Sequence, residues 1–410
     1  MSPAMSIGPT WQCYLREDGR KGIRNAVLVI YLVECAHHVA RQIVARFDDD
    51  AVQLIGFPGC YPNAYASDLM AKLATHPNVG GALIVSLGCE SFDRERLAAA
   101  IAASGRPVRT LVIQQAGGTR ATIAAGMGLV EEIRGKAMQA PRAAMGVADL
   151  VVGTICGGSD GTSGITANPS VGRCFDRLIA DGATCIFEET GELIGCEHVM
   201  ASRAITPELG REIEAAVEKA ERYYTVLGYG SFAPGNADGG LTTQEEKSLG
   251  AYSKSGDSPI SGLIKPGDIP PGPGLYLMDV VPDGEVRFGF PNISDNAEIV
   301  ELIASGCHVV LFTTGRGSVV GSAISPVIKI CANPDTFARL AEDMDVNAGR
   351  ILTEDATIDD LGNEIFAHVL SVSEGGQSVS EELGHQEFIL GYKYFEPTGP
   401  ACLPAAARRS

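Results

Sequence analysis

Short, continuously apolar runs that end beside glycine, cysteine or a carboxylate constrain this chain more than any other feature. Two clear cases are Ala26 to Leu32 and Ala82 to Leu87, and the second leads directly into Gly88-Cys89-Glu90. A run that is apolar at every position predicts a strand buried on both faces, as in parallel sheets covered by helices. Amphipathic helical patterns separate these runs along the chain. We therefore predict an α/β fold with mostly parallel sheets in two Rossmann-like units.

The pattern of strands and helices becomes irregular around Arg134 to Arg142, which predicts a domain boundary. We expect residues 1–138 to form an N-terminal doubly wound α/β domain, and residues 139–410 to form a second α/β region with a C-terminal α/β part. From Gly228 to Leu275 the chain is rich in Gly, Pro, Ser and Asp and shows little periodicity. Because long irregular segments in compact domains are usually functional, we expect a loop over the site.

The stretch from Leu150 to Asp176 predicts a functional turn. Its apolar strand ends on Cys156, and the glycine-rich run Gly157 to Gly161 follows, with Ser159 and Asp160 inside it. Glycines expose backbone N–H groups and let a ligand approach the main chain closely. The thiol and the carboxylate would then lie at the rim of a binding site. The alternative is an ordinary strand-to-helix loop whose glycines serve only the turn.

Three predicted strands end beside a cysteine, at Cys60, Cys89 and Cys156. Ligands of open parallel sheets bind outside the carboxyl ends of the strands, so side chains from different strand ends can converge. Three thiols could hold one iron ion or an iron–sulfur cluster with an open position for substrate. None of them has the close C-x-x-C spacing of a strong metal motif. The alternative is that each cysteine is a small buried residue.

Carboxylates and cationic side chains near these turns are candidates for proton transfer and anion binding. Asp160 and Glu188 could act as a base or hold a divalent cation, and His385 is a reserve acid or base. Ser159 and Asn168 add polar contacts to a substrate. Planar guanidinium forks and ammonium groups suit a carboxylate or sulfonate. The candidates for this anion contact are Arg20, Arg24, Arg316 and Lys329. For each of these side chains the alternative is a solvated loop residue.

Charge and composition exclude several classes of function. The net charge of −18 and the pI near 4.8 would repel a phosphate backbone, which excludes nucleic acid as a partner. No apolar run approaches the ~20 residues that span a bilayer, and the first residues lack a signal pattern. The eleven cysteines, an odd number, indicate thiols in a reducing compartment. We therefore expect a cytoplasmic protein that does not associate with membranes.

Five long motifs together resemble the altronate/galactarate dehydratase family. They are GRKGIRN (19–25), HPNVGGALIVSLGCE (76–90), CGGSDGTSGITANPSVG (156–172), GGLTTQEEKSLG (239–250) and FTTGRGS (312–318). The resemblance extends from about Tyr14 to Phe388, and motifs of this length rarely match by chance. It implies a lyase that depends on iron or another divalent metal and acts on a small hydroxy acid. A nicotinamide-dependent dehydrogenase is disfavoured because no G-x-G-x-x-G turn follows the first strand.

The resemblance also implies the reaction, a β-elimination that yields a 2-keto acid. Members of the family remove water from altronate or galactarate, and the large subunit of sulfolactate sulfo-lyase belongs to the same family. The sugar-acid enzymes carry a histidine shortly before the first Gly-Cys, where this chain has Gly56-Phe57-Pro58-Gly59-Cys60. They also often carry a fused small N-terminal domain ahead of the GRKGIRN motif.

These two departures favour conversion of (2R)-sulfolactate to pyruvate and sulfite over dehydration of altronate or galactarate. They also lead us to expect a separate small subunit that carries the family's N-terminal domain, in a hetero-oligomer. An alternative of another class is a non-catalytic large subunit that needs its small partner to form the site.

Overall fold

The computed structural model describes residues 9–47, 51–188, 190–228, 234–284 and 294–393. The strands are β1 Thr10–Leu15, β2 Lys21–Gly22, β3 Ala26–Tyr31, β4 Val52–Gly56, β5 Val79–Ser86, β6 Val108–Val112, β7 Arg142–Gly146, β8 Val151–Cys156, β9 Thr184–Phe187, β10 Ile260–Ile264, β11 Gly274–Met278, β12 Val309–Thr314, β13 Val327–Cys331 and β14 Val346–Asn347. The helices are α1 Glu34–Val44, α2 Ala64–Ala74, α3 Arg94–Ala103, α4 Ile113–Ala116, α5 Thr119–Ala137, α6 Ala167–Ala180, α7 Glu197–Ser202, α8 Pro207–Leu227, α9 Pro234–Asp238, α10 Gln244–Ala251, α11 Asp295–Ala304, α12 Pro334–Arg339, α13 Arg350–Thr353, α14 Ile358–Ser373 and α15 Val379–Glu382.

Within these ranges the strands form two parallel sheets and one small antiparallel sheet. The smaller parallel sheet has the order β4-β3-β5-β6, and the larger one has the order β10-β11-β9-β8-β12-β13-β14. The antiparallel sheet, β2-β1-β7, lies outside both of them. The predicted α/β fold with mostly parallel sheets in two Rossmann-like units is confirmed.

The apolar runs form the strands that the sequence predicts. Every residue of β5 and of β12 is buried, which is typical of strands covered by helices on both faces. The helices between them begin at polar caps: Thr206 accepts a hydrogen bond from the backbone N–H of Leu209 at 3.2 Å and precedes Pro207, which opens α8. Among the helices of the described ranges, none combines the length and the apolar character that crossing a bilayer requires.

The segment from Gly228 to Leu275 is more regular than its composition predicts. It contains α9, α10 and β10, and β10 pairs with β11 at the edge of the larger sheet. Thr243 caps α10 by accepting a hydrogen bond from the backbone N–H of Glu246, so a short helix forms without a long periodic pattern. The strand β13 is likewise buried throughout, although it contains the charged Lys329. Contacts with distant parts of the chain, more than local sequence pattern, therefore determine where these helices and strands form.

The two parallel sheets meet at the amino ends of their strands. His308, just before β12, accepts a hydrogen bond from Val151 N at Nδ1 (3.0 Å) and donates from Nε2 to Lys21 O (2.7 Å). Asn78, just before β5, donates from its amide to His308 O (3.3 Å) and to Ser325 Oγ (3.1 Å). Strands of both sheets therefore begin at one junction, and their carboxyl ends lie on the same side of the molecule.

The buried ring of His308 gives a pH-dependent prediction for stability. Burial lowers the pKa of His308 to about 4, whereas a histidine in an unfolded chain titrates near about 6.5. Between these values the unfolded chain binds a proton that the folded chain does not, so stability falls as the pH drops through this range. We expect His308 to contribute about 3 kcal/mol to that loss.

Urea unfolding at about pH 7 and about pH 4.5 measures the effect. His308→Gln should flatten the dependence on pH, although it also lowers stability at neutral pH. His198→Gln, a substitution at an exposed ring, should leave the dependence unchanged. Equal pH dependence in His308→Gln and the wild type would contradict the assignment.

Candidate functional site

The candidate functional site begins in the loop after β8, at the carboxyl edge of the larger sheet. Gly158 O accepts hydrogen bonds from the backbone N–H groups of Gly315 (2.9 Å) and Arg316 (3.0 Å), which fix this loop to the loop after β12. A Cβ at Gly158 would lie 3.0 Å from that of Arg316, so glycine permits the close approach. The Arg316 residue is exposed at the rim.

The carboxylate of Asp160 clamps this loop. Its Oδ1 accepts hydrogen bonds from Thr162 N (2.9 Å), Thr162 Oγ1 (2.6 Å) and Ser163 Oγ (3.3 Å), and its Oδ2 accepts one from Asn333 Nδ2 (2.8 Å). Asn333 also caps α12 after β13. A side chain at Gly315 would overlap this carboxylate. Asp160 therefore holds the loops after β8, β12 and β13 together, and its two carboxylate oxygens accept four hydrogen bonds.

A cavity of about 230 Å³ lies between this loop and α10. Its lining includes the sequence-predicted Ser159, Asp160 and Asn168, together with Lys247. The Asn168 side chain donates from Nδ2 to Gly250 O (3.1 Å), and its buried Oδ1 has no hydrogen-bond partner among the described residues. That oxygen is an available acceptor for a ligand hydroxyl.

Two glycines bring the two walls of this cavity together. A Cβ at Gly164 would lie 2.6 Å from the Cα of Gly250, a distance that real Cβ contacts do not reach. The backbones of the loop and of α10 can therefore touch only because both positions lack a side chain. Apolar side chains complete the lining: Ile165, Leu241 and Leu249.

A buried ion cluster lies next to the cavity. Glu192, in the turn after β9, pairs with Lys247 and lies 3.3 Å from Lys254 Nζ through its Oε2. The thiol of Cys156 donates to the same Oε2 at 3.0 Å, and Ser159 Oγ lies 3.6 Å from the sulfur. Both lysine side chains are almost fully buried. We call Cys156, Glu192, Lys247 and Lys254 the acid–lysine cluster.

Two opposing effects act on the pKa of Glu192. Burial alone would raise the pKa, but the ammonium groups of Lys247 and Lys254, with the Cys156 hydrogen bond, hold it well below its usual range. Glu192 is therefore ionised at neutral pH and keeps both lysines close. The ammonium groups of Lys247 and Lys254 place positive charge beside the cavity, whose lining also contains the carboxylates of Asp160 and Glu246.

Asp295, the first residue of α11, lies at the rim of the acid–lysine cluster. A Cβ at Gly157 would lie 3.2 Å from Asp295 Oδ2, so the carboxylate stands directly over the turn after β8. The residue is exposed on one side. Protein packed around its other side raises the pKa of Asp295, the charge of Glu192 raises it further, and the two lysines oppose this. A carboxyl with a raised pKa takes up a proton more readily, which makes Asp295 a candidate for proton transfer.

The structure places the three predicted thiols at two locations. Cys60 and Cys89 are exposed on neighbouring loops of the smaller sheet, where Ser91 N donates to Cys60 O at 2.9 Å. Cys156 is buried in the acid–lysine cluster of the larger sheet. Among the described residues, no group of three or more His, Cys, Asp and Glu side chains is placed to hold a metal ion. Within the described part of the chain the three thiols therefore do not form a ligand set for iron.

The remaining predicted catalytic carboxylate, Glu188, is buried directly after β9. Its charge helps to raise the pKa of the buried Tyr224, after burial itself and the charge of Glu298. Glu188 is thus close to the acid–lysine cluster, although it does not line the cavity.

Four predicted residues lie at the junction of the two sheets and outside this cavity. Arg20 donates to Thr75 O (2.5 Å), and Arg24 holds Glu381 through Nε (2.7 Å) and Nη2 (2.9 Å). Both guanidinium groups therefore bond other parts of the protein. Lys329 is fully buried, and its Nζ lies 3.2 Å from His385 Nδ1.

Sequence reasoning missed the two lysines of the site. Lys247 lies inside the motif GGLTTQEEKSLG, and Lys254 follows it by seven residues. A lysine in a polar segment is normally exposed to solvent. These two are instead buried against a carboxylate that lies more than fifty residues away in the sequence. The sequence held one signal for Lys247: this cationic residue lies inside a motif that resembles the family.

Comparison with known proteins matches most of the chain to one family. The model of the C-terminal domain of D-galactarate/altronate dehydratase matches residues 147–395, and the model of the second domain of D-galactarate dehydratase/altronate hydrolase matches residues 13–138. The (2R)-sulfolactate sulfo-lyase subunit beta of Chromohalobacter salexigens is 33% identical over 94% of this chain and 98% of that protein.

Two further relatives are sugar-acid enzymes. Altronate dehydratase of Bacillus subtilis is 30% identical over 93% of this chain and 77% of its own length. Galactarate dehydratase (L-threo-forming) of Escherichia coli is 31% identical over 90% of this chain and 73% of its own length.

The acid–lysine cluster predicts that a double variant is more stable than one of its single variants. Glu192→Gln would remove a carboxylate that both buried ammonium groups contact, so we expect it to destabilise the protein by about 3 kcal/mol or more. Lys247→Met leaves Glu192 paired with Lys254 and should cost less. Adding Lys247→Met to Glu192→Gln should therefore restore part of the lost stability.

Urea unfolding of the two single variants and the double variant measures this coupling. The exposed pair Glu132 and Lys136 is the matched control, because the corresponding substitutions there should change stability little. A Glu192→Gln variant as stable as Glu132→Gln would show that the two lysines do not depend on this carboxylate.

Proposed function

Because the chain belongs to the D-galactarate/altronate dehydratase family of lyases, we propose that it catalyses a β-elimination from a small hydroxy acid, with (2R)-sulfolactate as its substrate. The products are then pyruvate and sulfite. Dehydration of altronate or galactarate is the alternative. The relative named as a sulfolactate sulfo-lyase subunit supports the substrate, and the shape of the cavity supports it independently.

The observation that carries the proposal is the two-sided lining of the small cavity. One side has Lys247, whose ammonium group belongs to the acid–lysine cluster and can bind a carboxylate. The other side is formed by Leu241, Leu249 and Ile165. A three-carbon acid has a single hydroxyl group, from which Asn168 Oδ1 can accept a hydrogen bond, whereas further hydroxyl groups of a sugar acid would find no hydrogen-bond partner in the side chains of this apolar side. The lining therefore favours the shorter acid.

The reaction proposed for the site is a simple elimination. A base takes the proton from the carbon that carries the hydroxyl and the carboxylate, and that electron pair forms a double bond to the next carbon. The bond from that carbon to sulfur breaks, and sulfite leaves with its electron pair. The resulting enol gains a proton at the carbon that carried the sulfur and loses its hydroxyl proton, which gives pyruvate.

The ammonium groups of Lys247 and Lys254 supply the electrostatic stabilisation in this proposal. Charge develops on the substrate carboxylate as the proton leaves, and fixed cations in a water-poor site stabilise such charge strongly. Arg316, exposed at the rim next to Gly158, can donate two hydrogen bonds to the sulfonate. Asn168 Oδ1 can accept a hydrogen bond from the substrate hydroxyl. Each of these groups lies on a loop of the carboxyl edge.

For the base we propose Asp295, since its pKa is raised and it stands over the turn after β8. The four hydrogen bonds to Asp160 favour a positioning role for that carboxylate. Glu188 remains the second candidate from the sequence, because it is buried next to the same cluster.

We also propose a separate small subunit, since the sulfolactate relative is itself named as a subunit beta. The partner would carry the small N-terminal domain found in the resembled family. A cytoplasmic location is proposed from the eleven cysteines.

Activity with purified components tests the function. We expect sulfite and pyruvate in equal amounts from (2R)-sulfolactate when the chain is assayed with its small subunit, and little keto acid from altronate or galactarate. Lys247→Met and Asp295→Asn should each lower kcat/KM by at least about 100-fold. Arg211→Gln, on the exposed face of α8, should leave it unchanged.

The outcomes separate the alternatives. Keto acid from altronate or galactarate without sulfite release would replace the substrate with a sugar acid. Activity of both variants at wild-type level in the presence of the partner would move the catalytic groups to the small subunit, and the large chain would be a scaffold.

Iron or another divalent metal stays a prediction from the family resemblance. If thiols bind it, Cys89→Ala or Cys156→Ala should lower the iron content of anaerobically purified protein by at least about half. Cys35→Ala, at an exposed thiol of α1, is the control and should keep its iron. Metal and sulfide analysis measures the content, and unchanged iron in both variants would exclude these thiols as ligands.

A further inference from the structure

A second cavity, of about 570 Å³, lies at the junction of the two parallel sheets. Residues of both units line it, among them Ala26 at the start of β3 and Ser325 just before β13. It therefore lies at the amino ends of the strands, whereas the reaction cavity lies at the carboxyl ends. The two cavities have no lining residue in common. A ligand in the junction cavity would occupy a separate site.

The lining of the junction cavity carries more positive than negative charge. It contains Arg24, Arg134 and Arg142 against Glu374 and Glu381. Glu381 is already paired with Arg24. Three arginines in one lining form a local concentration of cationic side chains in a chain with a net charge of −18. Arginine side chains in a cavity can bind a carboxylate or a phosphate.

Arg142 is the best-placed anion contact in this lining. Its guanidinium stacks on the Tyr14 ring, with Cζ 4.0 Å from the ring centroid. Within the described part of the chain it makes one hydrogen bond, from Nη2 to Gln12 O at 2.9 Å. The stacking fixes the plane of the fork, and its remaining N–H groups are available to a carboxylate or phosphate.

His385 supplies a second hydrogen-bond donor to the cavity, because its contact with Lys329 determines which ring nitrogen carries the proton. The buried Lys329 Nζ lies 3.2 Å from His385 Nδ1, and an ammonium group can only donate. Nδ1 is therefore the acceptor, and the proton of the neutral ring is on Nε2. His385 lines the cavity with this N–H as a donor. Ser373 Oγ, buried in the same lining, has no hydrogen-bond partner among the described residues.

We propose that the junction cavity binds a small, multiply charged organic anion with carboxylate or phosphate groups. Arg142 and His385 are its principal contacts. Because Arg142 belongs to β7 and His385 to the segment after α15, a bound anion would connect parts of the chain that are far apart in sequence. Such a ligand stabilises the folded chain by mass action.

Isothermal titration of the full chain with citrate and with inorganic phosphate tests the site, with the ionic strength held constant by sodium chloride. We expect saturable binding of at least one probe below about 10 mM. Arg142→Gln and His385→Gln should each weaken it by about tenfold, the effect of one charge-assisted hydrogen bond. Arg211→Gln, at an exposed arginine outside the cavity, should bind like the wild type.

The Lys247→Met variant distinguishes the two cavities. It should bind the probes normally, whatever its activity, because Lys247 lies at the other edge of the sheet. Loss of binding in Lys247→Met but not in Arg142→Gln would assign the anion to the reaction cavity and overturn the proposal. Absence of saturable binding of both probes would also overturn it.

Discussion

The carboxylate of Glu192 is the constraint on which the candidate site depends. Burying two ammonium groups beside a small cavity costs several kcal/mol for each ion unless a counter-charge is close. Glu192 supplies that charge to Lys247 and Lys254 and also accepts the Cys156 thiol. Glu192 therefore keeps two buried cations next to the cavity, and groups from three distant segments of the chain form this arrangement.

The parallel arrangement of the two sheets determines where chemistry can occur. Because Asn78 and His308 join the amino ends of both sheets, the carboxyl ends open on one side, and the loops that follow them can meet there. Asp160 and Asn333 lock three such loops together. On the same side, the fully buried Glu301 of α11 binds Tyr65 of α2 and Lys393 near the end of the described chain. The first unit thus supports the site of the second through α11, whose first residue is Asp295.

The sequence alone predicted the parts of this molecule that depend on local pattern. The runs that became β3, β5 and β8 are apolar throughout, and the turn after Cys156 is rich in glycine, so both could be recognised without coordinates. β13 and the elements between Gly228 and Leu275 could not, because polar residues such as Lys329 are buried there by contacts with distant segments. Arg20 and Arg24 show what a short motif leaves out: cationic residues there predict an anion site, and the structure adds that their guanidinium groups bond the protein's own carbonyl and carboxylate groups. Pairing of this kind is long-range and leaves no local signal.

The tight backbone contact between Gly164 and Gly250 limits how the proposed specificity can change. Any side chain at either position would separate α10 from the loop after β8, and with α10 would move Lys247. The cationic side of the cavity is therefore coupled to the packing of the whole site and is difficult to vary. The apolar side is not: Leu249 and Ile165 are more than half exposed, so their replacement by polar residues disturbs little of the core. Selection between a short sulfonate and a polyhydroxylated acid would then act on this side, while recognition of the carboxylate stays common to both.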